Sequence, residues 1–378
     1  MSDLRRIARR RLPRGVFDYI DGAAEDELTL ARNSAAFRQI EFAPRVLASV
    51  GNIDTSTTLL GHEIPIPLML SPTGFTRIVT PAGELDVARA AGRAKLPYAL
   101  STLGTRSIEE VAEVATGPTF YQLYVWRDRG LVREMIERVK ACNYDAILFT
   151  VDTVVQGRRE RDVRRGFTLP PKIGPGTLVD GVLHPAWTMN FLRSDPILFS
   201  NMSGSSLPDG STAVSLGAIM NDQFDPGLAW SDLDWLRQEW SGPLVIKGVQ
   251  CVEDAIRAAK AGVDAIALSN HGGRQLDGAP AVVELVQPVV DAIGDYPEVI
   301  CDGGVRRGSD VVKAVALGAR ACSIGRSYLY GLAAAGERGV DRVLEMFKQD
   351  IHRTMALAGC RDLASLTPDV VRWRAGPG

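Results

Sequence analysis

From residue 65 onward, short apolar runs alternate with segments whose apolar residues recur at helical spacing. The runs are Pro65–Ser71, Tyr98–Ser101, Phe120–Val125, Ala146–Asp152, Pro243–Lys247, Ala265–Ser269, Glu298–Asp302 and Ala321–Ile324. They are continuous rather than alternating, and rich in Ile, Leu and Val, as strands buried on both faces are. Helical spacing marks Glu84–Ala94, Ile108–Ala115, Leu131–Ala141, Trp230–Trp240, Val252–Ala261, Val282–Ile293, Ser309–Leu317 and Val340–Ala358. Several of these end on a glycine stop, as at Ala261-Gly262 and Leu317-Gly318. Eight strands each followed by a helix predict an α/β (β/α)8 TIM barrel over about residues 65–358, in a single domain spanning 1–378. A helical segment precedes the barrel. No Gly-x-Gly-x-x-Gly follows the first strand, which counts against a dinucleotide-binding Rossmann domain.

One interval breaks the alternation. Residues 153–229, between the fourth strand and its helix, form an insertion long enough to carry function of its own. It holds Pro170-Pro171, Gly174-Pro175-Gly176 and the Ser/Gly-rich Ser203–Ser211. It also holds an apolar patch of Leu178, Val179, Val182, Leu183, Trp187, Met189, Phe191 and Leu192. Packing of this patch on the barrel or on a neighbouring subunit is the favoured expectation, and contact with a membrane surface is the alternative.

Composition narrows the class. The chain has 378 residues, 46% hydrophobic and 23% charged, with a formal net charge of −2. No nucleic-acid motif or basic excess is present, so no nucleic-acid partner is expected. Five widely spaced cysteines without a C-x-x-C predict buried thiols in a reducing cytoplasm, with no disulfide framework and no metal site. No apolar run is long enough to span a bilayer. The basic N-terminus, MSDLRRIARRRLPRG, lacks the apolar core of a signal peptide and predicts an exposed helix.

In such a barrel, chemistry sits where the strands end at the C-terminal face. There the sequence places Ser71-Pro72-Thr73-Gly74, Ser101, Gln122 with Tyr124, Thr150 with Asp152, Arg159, Lys247, Ser269-Asn270-His271-Gly272-Gly273-Arg274, Asp302-Gly303-Gly304-Val305-Arg306, and Gly325-Arg326. The glycines and arginines after strands seven and eight fit a phosphate site, because backbone N–H groups can approach an anion there. Arg274, three residues after His271, reaches the same pocket if the loop begins a helical turn. Together with Arg159 it suits a carboxylate. Asp152 is placed to hold an imidazolium formed at His271. Lys247, at the end of a buried strand, needs a negative partner, either a reduced cofactor or a carboxylate such as Asp302.

Ser269–Gly278 (SNHGGRQLDG), with DGGVRRG at Asp302–Gly308 and FYQLYVWRD at Phe120–Asp128, resembles the FMN-dependent L-2-hydroxy-acid dehydrogenases and oxidases. That family includes glycolate oxidase and the bacterial L-lactate and mandelate dehydrogenases. The resemblance runs from Phe17-Asp18-Tyr19 to Met355–Cys360. It implies FMN as cofactor, His271 as base, Asp152 as its partner, and Arg159, Arg274, Tyr19 and Tyr124 as the grip on the substrate. It further implies that Pro72, Thr73 and Gly74 lie against the flavin, and that Ser101, Gln122 and Thr150 bond to its ring. Lys247 would sit near N1 and O2, with Ser269 beside it, and Asp302, Gly303, Gly304, Arg306, Gly325 and Arg326 would hold the phosphate end. The implied reaction takes an L-2-hydroxy acid, L-lactate foremost, to the 2-keto acid, by hydride transfer to flavin N5 or through a carbanion. Electrons would pass to a quinone, oxygen or another acceptor. A dedicated oxidase, and more remotely an FMN-dependent isomerase, are the alternatives. Leu103 stands where glycolate oxidase has tryptophan, which leaves room for a larger substrate side chain. Gly74 replaces the alanine of some relatives and is expected to open space beside the flavin. The segment Arg161–Pro171 and the insertion look most like the lactate and mandelate dehydrogenases, which raises the membrane-contact expectation. The resemblance also implies a homotetramer, cytoplasmic or peripheral to the membrane.

Overall fold

The computed structural model describes residues 1–164, 175–201 and 223–374. Eight strands close a parallel barrel: β1 (Leu68–Leu70), β2 (Tyr98–Ser101), β3 (Thr119–Leu123), β4 (Ala146–Thr150), β5 (Leu244–Val249), β6 (Ala265–Ser269), β7 (Glu298–Asp302) and β8 (Ala321–Ile324). Apart from Glu298, every residue in them is buried, which is why they read as unbroken apolar runs. The strands stop earlier than the apolar runs in two informative places. β3 ends at Leu123 and β4 at Thr150, so Tyr124 and Asp152 lie just beyond the strands, on the rim. β5 instead runs on through Gly248 to Val249, with a register shift between Lys247 and Val249.

A helix follows each strand, and after β8 the described residues hold two helices where the pattern predicts one. Arg326–Ala335 is a separate helix ahead of Glu337–Ala358, the two divided at Gly336 (φ 61°). Eight consecutive residues of the first, Ser327 to Ala334, are buried, so it has no polar face to reveal its period. The predicted N-terminal segment forms Ser2–Arg11, Arg14–Asp21 and Leu28–Gln39. Ile40–Phe42 pairs antiparallel with Val371–Trp373 and ties the two chain ends together. The hairpin Thr57–Leu59/His62–Ile64 meets the start of β7, where Glu298 accepts the Leu60 N–H at 2.9 Å. The other end of the barrel, the C-terminal mouth, is roofed by residues 19–27 and by the loops after the strands.

Within the insertion, the described residues include the helices Glu160–Arg164, Pro175–Leu183 and Pro185–Arg193. Pro170-Pro171, Gly174, Ser203–Ser211 and most of the Arg161–Pro171 segment lie outside the described residues. The barrel does not cover the apolar patch, which corrects half of that expectation. Leu178, Val179, Val182, Leu183, Met189, Phe191 and Leu192 are exposed, from 47% at Phe191 to 78% at Val182. Only Trp187 turns inward: its Nε1 donates to the Ile78 carbonyl at 2.8 Å and its ring stacks on Phe191. Among the described residues no helix is long and apolar enough to cross a membrane.

Candidate active site

A cavity of about 600 Å3 opens at the mouth and gathers residues from every strand end. Its floor is a chain of hydrogen bonds between neighbouring strands. Ser101 Oγ donates to Gln122 Oε1 at 3.0 Å, and Gln122 Nε2 donates to Thr150 Oγ1 at 3.0 Å. Across the barrel, Lys247 Nζ lies 2.7 Å from Asp302 Oδ2 and donates to Ser269 Oγ at 2.9 Å. Ser269 Oγ and Ser71 Oγ both donate to Asp302, at 2.9 and 2.8 Å. The carboxylate partner anticipated for Lys247 is thus present. Burial disfavours the ammonium, but Asp302 and Asp152 hold its pKa above the ordinary lysine value, so it stays charged.

His271 stands above this floor in a 3-10 turn, His271–Gly273, the helical turn needed to bring Arg274 to the same pocket. Its φ is +57°, and Gly272 and Gly273 follow at +65° and +78°. A non-glycine residue in this region is strained by roughly 1–3 kcal/mol and persists only where its surroundings enforce it. They do so here: the His271 N–H donates to Ser269 Oγ at 3.0 Å, and Asn270 accepts from the Gly273 N–H. Nδ1 lies 3.0 and 3.3 Å from the two oxygens of Asp152, a side chain only 1% exposed. Nε2 is left as the nitrogen available to the cavity. Burial, with Lys247 and Arg159 nearby, holds the imidazole pKa below its usual value against the opposing pull of Asp152. Burial likewise opposes the charge on Asp152, but His271 and Lys247 keep its carboxyl below the usual carboxylate range. The pair at neutral pH is therefore a neutral base beside a fixed anion.

Arg274 lies under the roof. Its Nη1 donates to the Tyr19 and Gly22 carbonyls at 2.6 and 3.1 Å, and its guanidinium sits 5.0 Å over the Tyr19 ring. Burial and the neighbouring Arg159 push its pKa down to about 9, so it remains a cation at neutral pH. Arg159 Nε is buried with no hydrogen-bond partner. Two crowded guanidiniums, one with an unanswered donor, make a site that gains from an anion. Tyr124 and Leu103 line the same cavity, as do Pro72 and Thr73. A Cβ at position 74 would lie 2.9 Å from the Leu103 Cβ, so the space expected beside Gly74 is taken up by Leu103.

At the opposite end, Arg306 and Arg326 flank Gly303, Gly304 and Gly325. A Cβ on Gly303 would strike Val282, and one on Gly304 would strike the Asn33 carbonyl at 2.3 Å, so packing alone accounts for both. Gly325 differs. Nothing lies closer than 3.6 Å to its added Cβ, and its backbone borders the cavity. Arg326 donates to the Gly272 and Gly22 carbonyls, leaving Nε buried and unpartnered. Arg306 Nη1 donates to the neighbouring Val305 carbonyl. An open glycine backbone, an orphaned guanidinium N–H and two cations fit a phosphate, and the polar floor fits a flavin ring.

Several residues that shape this site carry no local signal. Arg161 bridges Asp18, Asp21 and Glu27, which ties the Arg159 segment to the Tyr19 segment. Gln275 Nε2 donates to the Asp152 and Val155 carbonyls and so joins the loops after β6 and β4. Asp162 is a buried carboxylate of the cavity wall, and Phe199 and Phe224 enter it from the later part of the insertion.

A family profile described as FMN-dependent dehydrogenase matches residues 8–373. A putative L-lactate dehydrogenase of Mycobacterium tuberculosis is 44% identical over 97% of this chain and 87% of its own length. The (S)-mandelate dehydrogenase of Pseudomonas putida is 40% identical over 98% of this chain and 93% of its own. A crystal structure of the monotopic membrane protein (S)-mandelate dehydrogenase superposes with a TM-score of 0.94 at 40% identity, covering 98% of each chain. With the barrel, the phosphate end and the polar floor already in place, these likenesses settle the lineage: the chain belongs to the FMN-dependent dehydrogenase family and takes FMN as its cofactor.

Proposed function

We propose that this chain oxidises an L-2-hydroxy acid to the 2-keto acid, with His271 as the base. The observation that carries the reading is His271, held by the buried Asp152 carboxylate and facing one cavity with Arg159, Arg274 and Tyr124. Arg306, Arg326, Gly304 and Gly325 would hold the FMN phosphate. Ser101, Gln122, Thr150 and Lys247 would bond to the ring, with Ser269 and Asp302 fixing Lys247 and Pro72–Gly74 against one face. Bound FMN supplies the two-electron acceptor. Arg159 and Arg274 bind the substrate carboxylate, with Tyr19 stacked behind Arg274, and Tyr124 positions the C2 oxygen. His271 Nε2 takes a proton, from the C2 hydroxyl if the hydrogen leaves carbon as hydride, or from C2 itself on the carbanion route. Asp152 stabilises the imidazolium that forms. Relatives named L-lactate dehydrogenase and (S)-mandelate dehydrogenase support the substrate class.

Anaerobic mixing of the FMN-loaded protein with L-2-hydroxy acids tests the reading. Bleaching of the flavin is expected. A flavin that stays oxidised with every acid would overturn it and leave the isomerase alternative. In air, little peroxide is expected without an added quinone or dye, whereas one peroxide per substrate would assign the electrons to oxygen.

A second reading concerns where the protein works. The exposed apolar faces of Pro175–Leu183 and Pro185–Arg193 favour peripheral contact with an anionic membrane. The helix Arg14–Asp21, which follows the basic helix Ser2–Arg11, adjoins them, for the backbone N–H of Arg14 donates to Asp180, and Arg9, Arg10 and Arg14 are exposed. The similar structure described as a monotopic membrane protein supports this. Co-sedimentation with anionic vesicles tests it, and recovery in the supernatant at low salt would contradict it. Homotetramer formation, proposed on the family resemblance alone, is tested by sedimentation velocity.

A further inference from the structure

The insertion has two faces, and the inner one bears on which acid is oxidised. Residues 175–193 carry the exposed helices, but the two stretches that flank residues 202–222 return to the mouth and are fixed there. In the first stretch, Ser200 Oγ donates to the Thr105 carbonyl at 3.1 Å. Asn201 Oδ1 accepts the Ile108 N–H at 2.9 Å, and its Nδ2 donates to the Ser101 carbonyl at 3.3 Å. These bonds hold Phe199 beside the end of β2. In the second, the Gln223 carbonyl accepts the Arg127 N–H at 3.0 Å, and Arg129 pairs with Asp225 at 3.0 Å. These hold Phe224 beside the end of β3.

Both phenyl rings are buried and both line the active-site cavity. Phe199 packs on Phe75 with centroids 5.5 Å apart, and Phe75 meets the Tyr19 ring edge-on at 6.0 Å. Phe224 meets Tyr124 edge-on at 5.3 Å. Leu103 abuts Gly74 and lines the same cavity. The carboxylate end of the cavity is marked by Arg159 and Arg274 and the hydroxyl end by His271 and Tyr124. Asp162 lies on the side of Arg159 and Arg274, and the aromatic part of the wall, open to the group on C2, is Phe75, Phe199 and Phe224 with Leu103.

Resting on the hydroxy-acid reading above, we infer that Phe199 and Phe224, with Phe75 and Leu103, form a side-chain subsite that selects 2-hydroxy acids bearing an aromatic or bulky branched apolar group. L-Lactate enters the same site but leaves this wall without a partner. A single methylene in an apolar pocket changes specificity by about 10- to 200-fold, and a phenyl ring offers several carbons of contact. The expected preference for (S)-mandelate or L-phenyllactate over L-lactate is therefore at least about 100-fold in kcat/KM.

The test uses the FMN-loaded protein with glycolate, L-lactate, (S)-mandelate and L-phenyllactate under anaerobic conditions. Binding of the unreactive acids propionate and phenylacetate is measured in parallel by calorimetry on the oxidised protein. Phenylacetate is expected to bind at least about tenfold more tightly than propionate. Leu103→Trp, which fills the wall, and Phe199→Leu, which trims it, are each expected to lower the mandelate-to-lactate ratio about tenfold or more. A lactate efficiency equal to or above that of mandelate, with propionate binding as well as phenylacetate, would overturn the subsite and leave the hydroxy-acid reading intact. Bleaching by none of the four acids would overturn that reading itself.

Discussion

The loop after β6 and the insertion after β4 leave the same rim of the barrel and solve opposite problems. In the loop, polar side chains are matched one by one. Asn270 pairs with Asn33, Gln275 holds the loop after β4, and Asp277 accepts the first N–H groups of Leu28–Gln39. The strained backbone of His271 is affordable only in that setting. The described helices of the insertion instead expose a run of large apolar side chains, and contacts between the insertion and the barrel include Trp187 on Ile78, Arg77 on the Asp195 carbonyl, and the stretches around Phe199 and Phe224. On the proposed reading, the chemistry that needs a defined proton acceptor sits where the backbone is over-determined. The proposed membrane contact sits where apolar surface is left uncovered.

The sharpest way to break this contrast is to unbalance the loop. Asp152→Asn is expected to slow flavin reduction by about 10²- to 10⁴-fold, because the imidazolium loses its counter-charge. In the unaltered protein the burial-lowered pKa of His271 predicts kcat/KM rising with pH through an inflection below about 6.5, then level until it falls near pH 9 as Arg274, with its pKa of about 9, loses its proton. Asp152 raises that pKa, so its removal should move the inflection to lower pH while the plateau falls; a pH–rate profile reads both changes. Arg274→Met should raise the KM for the acid by about 10- to 100-fold, through loss of charge-assisted bonds, with FMN retained. The insertion should behave differently. Leu183→Glu is expected to lower partition onto anionic vesicles about tenfold, with flavin reduction in solution unchanged. Trp187→Phe, which removes one hydrogen bond and keeps the stack, should cost about 1 kcal/mol of stability in a denaturant melt.

The barrel was legible because all-buried strands and amphipathic helices differ in period, and because glycine stops mark the helix ends. The helix Arg326–Ala335 was not, since burial all round erases the period. At the site, the Ser269–Gly278 motif pointed to His271 and Arg274, and strand ends pointed to Asp152 and Lys247, because rim position follows from strand position. Phe199 and Phe224 could not be read in this way: they reach the mouth through long-range bonds to Thr105, Ile108 and Arg127 that no local pattern encodes. Arg161 is hidden for the same reason, its partners lying near residue 20. The exposed patch was visible as composition, but its facing outward depends on what the barrel surface leaves uncovered.

The most direct test of the His271 assignment is a single anaerobic turnover followed by flavin absorbance, in the FMN-loaded protein and in His271→Ala. Bleaching by an L-2-hydroxy acid in the first, and a rate at least about 10⁴-fold lower in the second with its FMN still bound, is the predicted result. Equal bleaching in both would remove His271 from the chemistry and contradict the account.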